Sequence, residues 1–131
     1  MMEAIHPNLS LLKNLNLQDL DACKSFVADD FVWHYFNRHL PELQGDYLGL
    51  DGLKSFFAKL GERSGSSFRV NVIDSRTAGD ELVVTQVCNC MNFEGSSMEF
   101  DAVVVWRIVN GQITEAWDIP AVNTIRSIGK S

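Results

Sequence analysis

The chain contains no apolar run near the roughly 18 residues that a membrane helix needs. Its longest, such as Ala102 to Trp106, have the length of a strand. No basic-then-apolar leader opens it, so a cytoplasmic location is the expectation. Basic charge is scarce: 11 Lys plus Arg stand against 17 Asp plus Glu, without any cationic cluster. That balance opposes phosphate backbones and anionic lipid, which argues against nucleic acid and membrane as partners. Cysteine is scarce and odd in number, with Cys23, Cys88 and Cys90. Cys88 and Cys90 alternate on one strand and point the same way, which disfavours a bond between them and leaves them as buried thiols. No further Cys or His stands at ligand spacing, so no metal site is expected. Repeats, linkers and low-complexity segments are absent too.

What remains is a chain of 131 residues with 46% hydrophobic content. That is one domain, 1–131, able to bury a core without disulfides or metal. The first third reads as helix. Leu9, Leu12 and Leu15 form one stripe, and Asn16 followed by Asp19 resembles a capping signal for a second helix through Val27. A short strand is expected from about Phe31 to Tyr35. A polar segment with Pro41 and Gly45 then leads to a third helix, in which Leu53, Phe56, Phe57 and Leu60 fall at i, i+3, i+4 and i+7. After Gly61 the period becomes two. Four strands follow, Phe68–Val72, Leu82–Phe93, Met98–Val109 and Gln112–Ile119, with turns at Ala78-Gly79-Asp80, Glu94-Gly95-Ser96-Ser97 and Asn110-Gly111. Helices first and a strand meander afterwards make an α+β domain, a curved, mainly antiparallel sheet packed on three N-terminal helices. Three helices cover one face only, so the other face, with Val103, Val105 and Trp117, suits a partner subunit and predicts a homodimer.

Two ionisable residues stand out because each interrupts an apolar strand: His34 in Val32-Trp33-His34-Tyr35, and Asp118 after Trp117. Two such groups on buried strands point to a pocket. The hairpin before Asp118 decides what it meets. A three-residue Val109-Asn110-Gly111 loop puts Asp118 on the face of Ala102, Val104 and Trp106, with Arg107 outside. A two-residue Asn110-Gly111 loop puts it with Val103, Val105 and Arg107 instead. Phe57 projects from the third helix, and Tyr47 either closes the pocket mouth or anchors its loop.

The order of these parts resembles the NTF2-like superfamily, and within it the SnoaL-like and ketosteroid-isomerase-like proteins. The resemblance rests on His6-Pro7-Asn8, Asp19-Leu20-Asp21-Ala22, Ala28-Asp29-Asp30, Val32-Trp33-His34, Gly45-Asp46-Tyr47-Leu48-Gly49, Trp106 through Ile113, and Glu115-Ala116-Trp117-Asp118. It implies a cone-shaped fold with a hydrophobic pocket, commonly dimeric, and it favours the three-residue loop. The isomerases carry a general-base aspartate on the first strand in a Val-x-Asp context, which falls here on His34. They have proline directly after it where this chain has Tyr35, and a shift of one residue would turn the side chain to the opposite face. SnoaL-like cyclases use an aspartate near the position of Asp118 as acid/base. The oxyanion-hole aspartic acid of the isomerases falls on Val104, and their helical tyrosine has no counterpart between Asn8 and Val27, which argues against steroid isomerisation.

Two readings follow. In the first, the protein is a cofactor-independent enzyme acting on a hydrophobic small molecule by isomerisation, cyclisation or dehydration. His34 and Asp118 transfer protons, and Trp106, Val104, Tyr47 and Phe57 contact the ligand. In the second it is a non-catalytic ligand-binding or dimerisation module, because no donor to a developing oxyanion can be named. The first reading requires His34 and Asp118 to share the cavity, with the carboxylate raising the histidine pKa.

Overall fold

The computed structural model describes residues 6–65, 67–93 and 95–130. His6 caps the first helix, α1 (Pro7–Leu12), its Nδ1 accepting from the Asn8 amide at 3.1 Å. Asn8 is itself buried, and its Nδ2 donates to the Asp80 carbonyl at 3.0 Å and the Ile108 carbonyl at 3.5 Å. A helix of six residues is too short to hold itself, so these bonds fix its place over the sheet.

The second expected helix is a 3-10 segment, Leu20–Phe26. Its inward residues Leu20, Cys23 and Phe26 recur every three positions, the 3-10 period, and Val27 already opens the first strand. The described residues thus hold two α-helices, α1 and α2 (Gly49–Ser64), and two 3-10 segments, the other being Pro41–Leu43. Within α2, Leu53, Phe56 and Leu60 are buried and Phe57 packs beside them, as the spacing predicts. Gly52 is required there, since a Cβ on it would stand 2.8 Å from the Tyr47 carbonyl carbon. Gly65, at φ 61°, ends the helix in the left-handed conformation.

Six strands form one mixed sheet: β1 (Val27–Tyr35), β2 (Gly45–Leu48), β3 (Arg69–Ala78), β4 (Leu82–Phe93), β5 (Ser96–Val109) and β6 (Gln112–Lys130). Their order is β2-β1-β6-β5-β4-β3, and every pair is antiparallel except β1 with β6. β2 and the second half of β6 extend the expected set. Of the turn expected at 94–97, Glu94 lies outside the described residues, and Ser96 and Ser97 belong to β5.

The last hairpin has the two-residue loop. Val109 pairs with Gln112 across Asn110 (φ 51°) and Gly111 (φ 75°), both left-handed as a twist-matched two-residue turn requires. The face expected from the longer loop is nevertheless restored. A bulge leaves Thr114 unpaired between Ile108↔Ile113 and Arg107↔Glu115, so Trp106 meets Ala116 and Val104 meets Asp118. The inner face therefore carries Trp33, Val83, Val87, Val104, Trp106 and Ala116, all buried under the helices. Among the described residues no helix is long and apolar enough to cross a membrane.

Candidate functional site

Between the inner face and the N-terminal segment lies a cavity of about 640 Å³. Leu9 and Leu12 of α1, Leu15 and Leu17 after it, and Phe57 of α2 close one side. Val70 and Val72 of β3, Val87 of β4 and Val104 and Trp106 of β5 form the other. Its aromatic floor centres on Trp33, whose ring centroid is 5.6 Å from Phe56, 5.9 Å from Phe57 and 5.6 Å from Trp106. The two indoles meet because Ala116, fully buried, is cross-strand neighbour of both and has no bulk to separate them. The sequence leads one to expect walls from the third helix, the first strand and the last two strands, and α1, β3 and β4 contribute as well.

Polar groups in this lining are few. Ser75 donates to Thr85 across β3 and β4 at 3.4 Å, and Lys13 stands at the rim. Asp118 is set between Val104 on β5 and Tyr35 on β1. Its Oδ1 is buried with no hydrogen-bond partner. Withdrawal from water in that apolar setting raises the carboxyl from an ordinary 3.8 to about 7. Such a group holds its proton about half the time near neutrality, the condition for both taking and giving one. Burial pushes the neighbouring Tyr35 phenol to a pKa well above its ordinary 10, against the hydrogen bond it accepts from Asn37 Nδ2 at 2.9 Å, which works the other way.

His34 lies on the other face of β1. Trp33 and Tyr35 are buried inward, and the alternation of the strand turns His34 outward, where its ring stacks on Trp117 with centroids 5.4 Å apart. It does not line the cavity, so the expected His34–Asp118 pair does not form. The physical reason is that the alternation of β1 gives the inward places to Trp33 and Tyr35 and leaves the position between them outside. Asp118 therefore does not act on the histidine, whose pKa is raised by two other carboxylates. Burial opposes the charge, but hydrogen bonds to Asp46 (Nδ1···Oδ1 2.7 Å) and Glu115 (Nε2···Oε2 2.8 Å) outweigh it. Both ring nitrogens face carboxylate oxygens, an arrangement that only the doubly protonated imidazolium satisfies fully.

Of the other expected contacts, Val104, Trp106 and Phe57 line the cavity and Tyr47 does not. Tyr47 donates its hydroxyl to the Leu43 carbonyl at 2.6 Å and turns its ring edge to Phe56, which makes it an anchor of the loop. Arg107 faces outward, bridging Glu81 and Glu115. Gln86, Cys88 and Cys90 share that outer face, and Asn89 points in.

Sequence reasoning takes Trp33 as core and leaves the face of Asn89 undetermined. Among the described residues, the buried side-chain polar atoms lacking a partner are Trp33 Nε1, Asn89 Oδ1 and Asp118 Oδ1, and all three residues line the cavity. The signal for Asn89 was its place in Val83-x-Thr85-x-Val87-x-Asn89-x-Met91, the more apolar face of β4. Their convergence on one void sets three polar atoms, otherwise without a partner in the protein, within reach of whatever occupies it.

A model of the SnoaL-like domain family matches residues 10–116. No curated protein matches the sequence significantly. Among solved structures, an NTF2-like protein of unknown function from Burkholderia pseudomallei K96243 is similar at 20% identity and a TM-score of 0.78, covering 91% of this chain and 94% of its own. TerC, co-crystallised with polyporic acid, is similar at 22% identity and a TM-score of 0.76, covering 89% of this chain and 93% of its own. IdmH from Streptomyces antibioticus, a candidate polyketide cyclase, is similar at 20% identity and a TM-score of 0.69, covering 91% of this chain and 95% of its own. These likenesses carry the fold, an open curved mixed sheet with few helices over it. With the family match spanning most of its length, the chain belongs to the SnoaL-like domain family, within the NTF2-like superfamily.

Proposed function

We propose that this protein binds a largely apolar, oxygen-bearing small molecule in the inner cavity and that Asp118 moves a proton on it, as in isomerisation, cyclisation or dehydration. The observation that carries the reading is the Asp118 carboxyl, desolvated to a pKa of about 7 and facing the void with an unpartnered oxygen. The ionised form takes a proton from carbon next to a carbonyl and returns it elsewhere on the ligand. Trp33 Nε1–H supports the same chemistry, because it is a buried donor with no protein acceptor and can stabilise oxygen on which negative charge develops. The two-residue acid/base pair is given up, because His34 stands on the outer face, and Asp118 alone is the proton carrier in this proposal. TerC with polyporic acid and IdmH as a candidate cyclase support the ligand class by likeness of fold. In the same proposal the protein works as a homodimer through the outer face, where Val103, Val105 and Trp117 are only partly covered.

Polyporic acid is a suitable first probe, read by quenching of the cavity tryptophans. The chemical step is tested by deuterium exchange from solvent into the acidic C–H of a bound cyclic diketone. The parent should accelerate exchange, and Asp118→Asn should lose at least about a hundredfold with ligand binding kept, the range expected for a positioned acid/base. Equal exchange in both proteins removes Asp118 from the chemistry. Binding that survives a cavity-filling Val104→Trp overturns the cavity as the site.

A further inference from the structure

On the outer face, at the end of the sheet away from His34, two thiols and a carboxylate converge. Cys88 and Cys90 are two apart on β4, and Glu99 on β5 is the cross-strand partner of Cys90. One oxygen, Glu99 Oε2, stands 3.6 Å from Cys88 Sγ and 3.9 Å from Cys90 Sγ. All three ligating atoms lie within 4.8 Å of one another, and all three residues are half-buried. We propose that Cys88, Cys90 and Glu99 form a site for a thiophilic divalent cation, of which Zn²⁺ is the fitting one.

The two sulfur–oxygen edges are close to those of a tetrahedral centre, and the third edge, between the sulfurs, is no longer than 4.8 Å. Bonds of about 2.3 Å to sulfur and about 2.0–2.2 Å to carboxylate oxygen put sulfur and oxygen about 3.6 Å apart along a tetrahedral edge. The two sulfur–oxygen separations here are that long or 0.3 Å longer. Each thiol releases its proton to solvent as its thiolate bonds the ion, and three protein ligands leave the fourth position to water. Arg126 of β6 supplies the surrounding support. Its Nε donates to Glu99 Oε1 at 2.7 Å, which orients the carboxylate with Oε2 toward the thiols, and its Nη2 reaches Asp101 at 3.4 Å and Cys88 Sγ at 3.6 Å. Asn71 Nδ2 donates to Cys90 Sγ at 3.5 Å from β3. An ion there ties β4 to β5 and, through Arg126, to β6. The sequence alone conceals the set because its carboxylate comes from the next strand.

The test uses the reduced full chain, titrated with Zn²⁺ against a chromophoric chelator and with Cd²⁺ by its thiolate-to-metal charge-transfer band. About one ion per chain is expected, with the band present. Cys88→Ser and Cys90→Ser should each weaken Zn²⁺ binding by about a hundredfold or more, beyond what loss of an outer-shell partner costs. Glu99→Gln keeps both thiols and should keep the Cd²⁺ band while weakening Zn²⁺ about tenfold, so the proposal does not depend on how the serine variants fold. Cys23→Ser, under the 3-10 segment, should bind as the parent does. No Zn²⁺ uptake, a stoichiometry far from one, or a Cd²⁺ band that disappears with Cys23 and not with Cys88 or Cys90 overturns the site.

Discussion

Asp118 binds its proton more tightly in the folded chain than in the unfolded one, at about 7 against an ordinary 3.8. Below about pH 4 both states are protonated and the burial is harmless. Between about pH 4 and 7 the unfolded chain gives up the proton first, so stability falls as pH rises and levels off above about 7. Asp118→Asn, uncharged throughout, should match the parent in a urea melt at pH 4 and exceed it by a few kcal/mol at pH 8. Melts that differ equally at both pH values would mean that the carboxyl is not desolvated. Asp118 was legible because a carboxylate inside an apolar strand is conspicuous and its face could be argued from the hairpin. Trp33 was not, because an indole on an apolar strand reads as core until its nitrogen is found without an acceptor. His34 drew attention for the same reason as Asp118 and stands on the wrong face, since alternation leaves no margin for a one-residue error.

Among elements, β2 is the edge strand that sequence missed, four residues with no apolar alternation. Besides its ladder with β1 and the Tyr47 anchor, it is held by His34, which bridges Asp46 on β2 and Glu115 on β6. The folded imidazole pKa is raised above 6.5, so this clamp is complete below about 6.5 and is lost as pH rises through the folded value. His34→Gln should cost about 1 kcal/mol at pH 6, a figure limited by the exposure of Asp46, and little at pH 9. Hydrogen exchange at the β2 amides should quicken in step. A variant indistinguishable from the parent at pH 6 would leave β2 held by its ladder and Tyr47 without the His34 clamp. The last hairpin carries a related lesson: Asn110-Gly111 was legible as a turn, yet the unpaired Thr114 reversed its effect on register. Bulges leave almost no mark in sequence, so the inner face of β6 was reached correctly from a wrong loop. The 3-10 segment differs in that its period of three was present in Leu20, Cys23 and Phe26 all along.

At the scale of the whole molecule, the fold was legible from the succession of a helical third and a strand meander, because that order leaves few ways to cover an apolar face. The outer face is where assembly is expected. Sedimentation at micromolar protein should give a dimer, and Ile119→Lys, a charge placed at an exposed apolar position pairing with Val103, should shift it toward monomer. A parent that sediments only as monomer removes the homodimer. The position of β6 bears on how the molecule comes to exist in time. It follows every other strand in the chain, yet it sits in the middle of the sheet, between β1 and β5. Until it is synthesised, β2-β1 and β5-β4-β3 are two separate ribbons with open edges, and Trp33 has no neighbour at Ala116. The ribosome therefore delivers the keystone after the arch, and a nascent chain halted at Gly111 would offer chaperones two unclosed edges rather than a smaller version of the same protein.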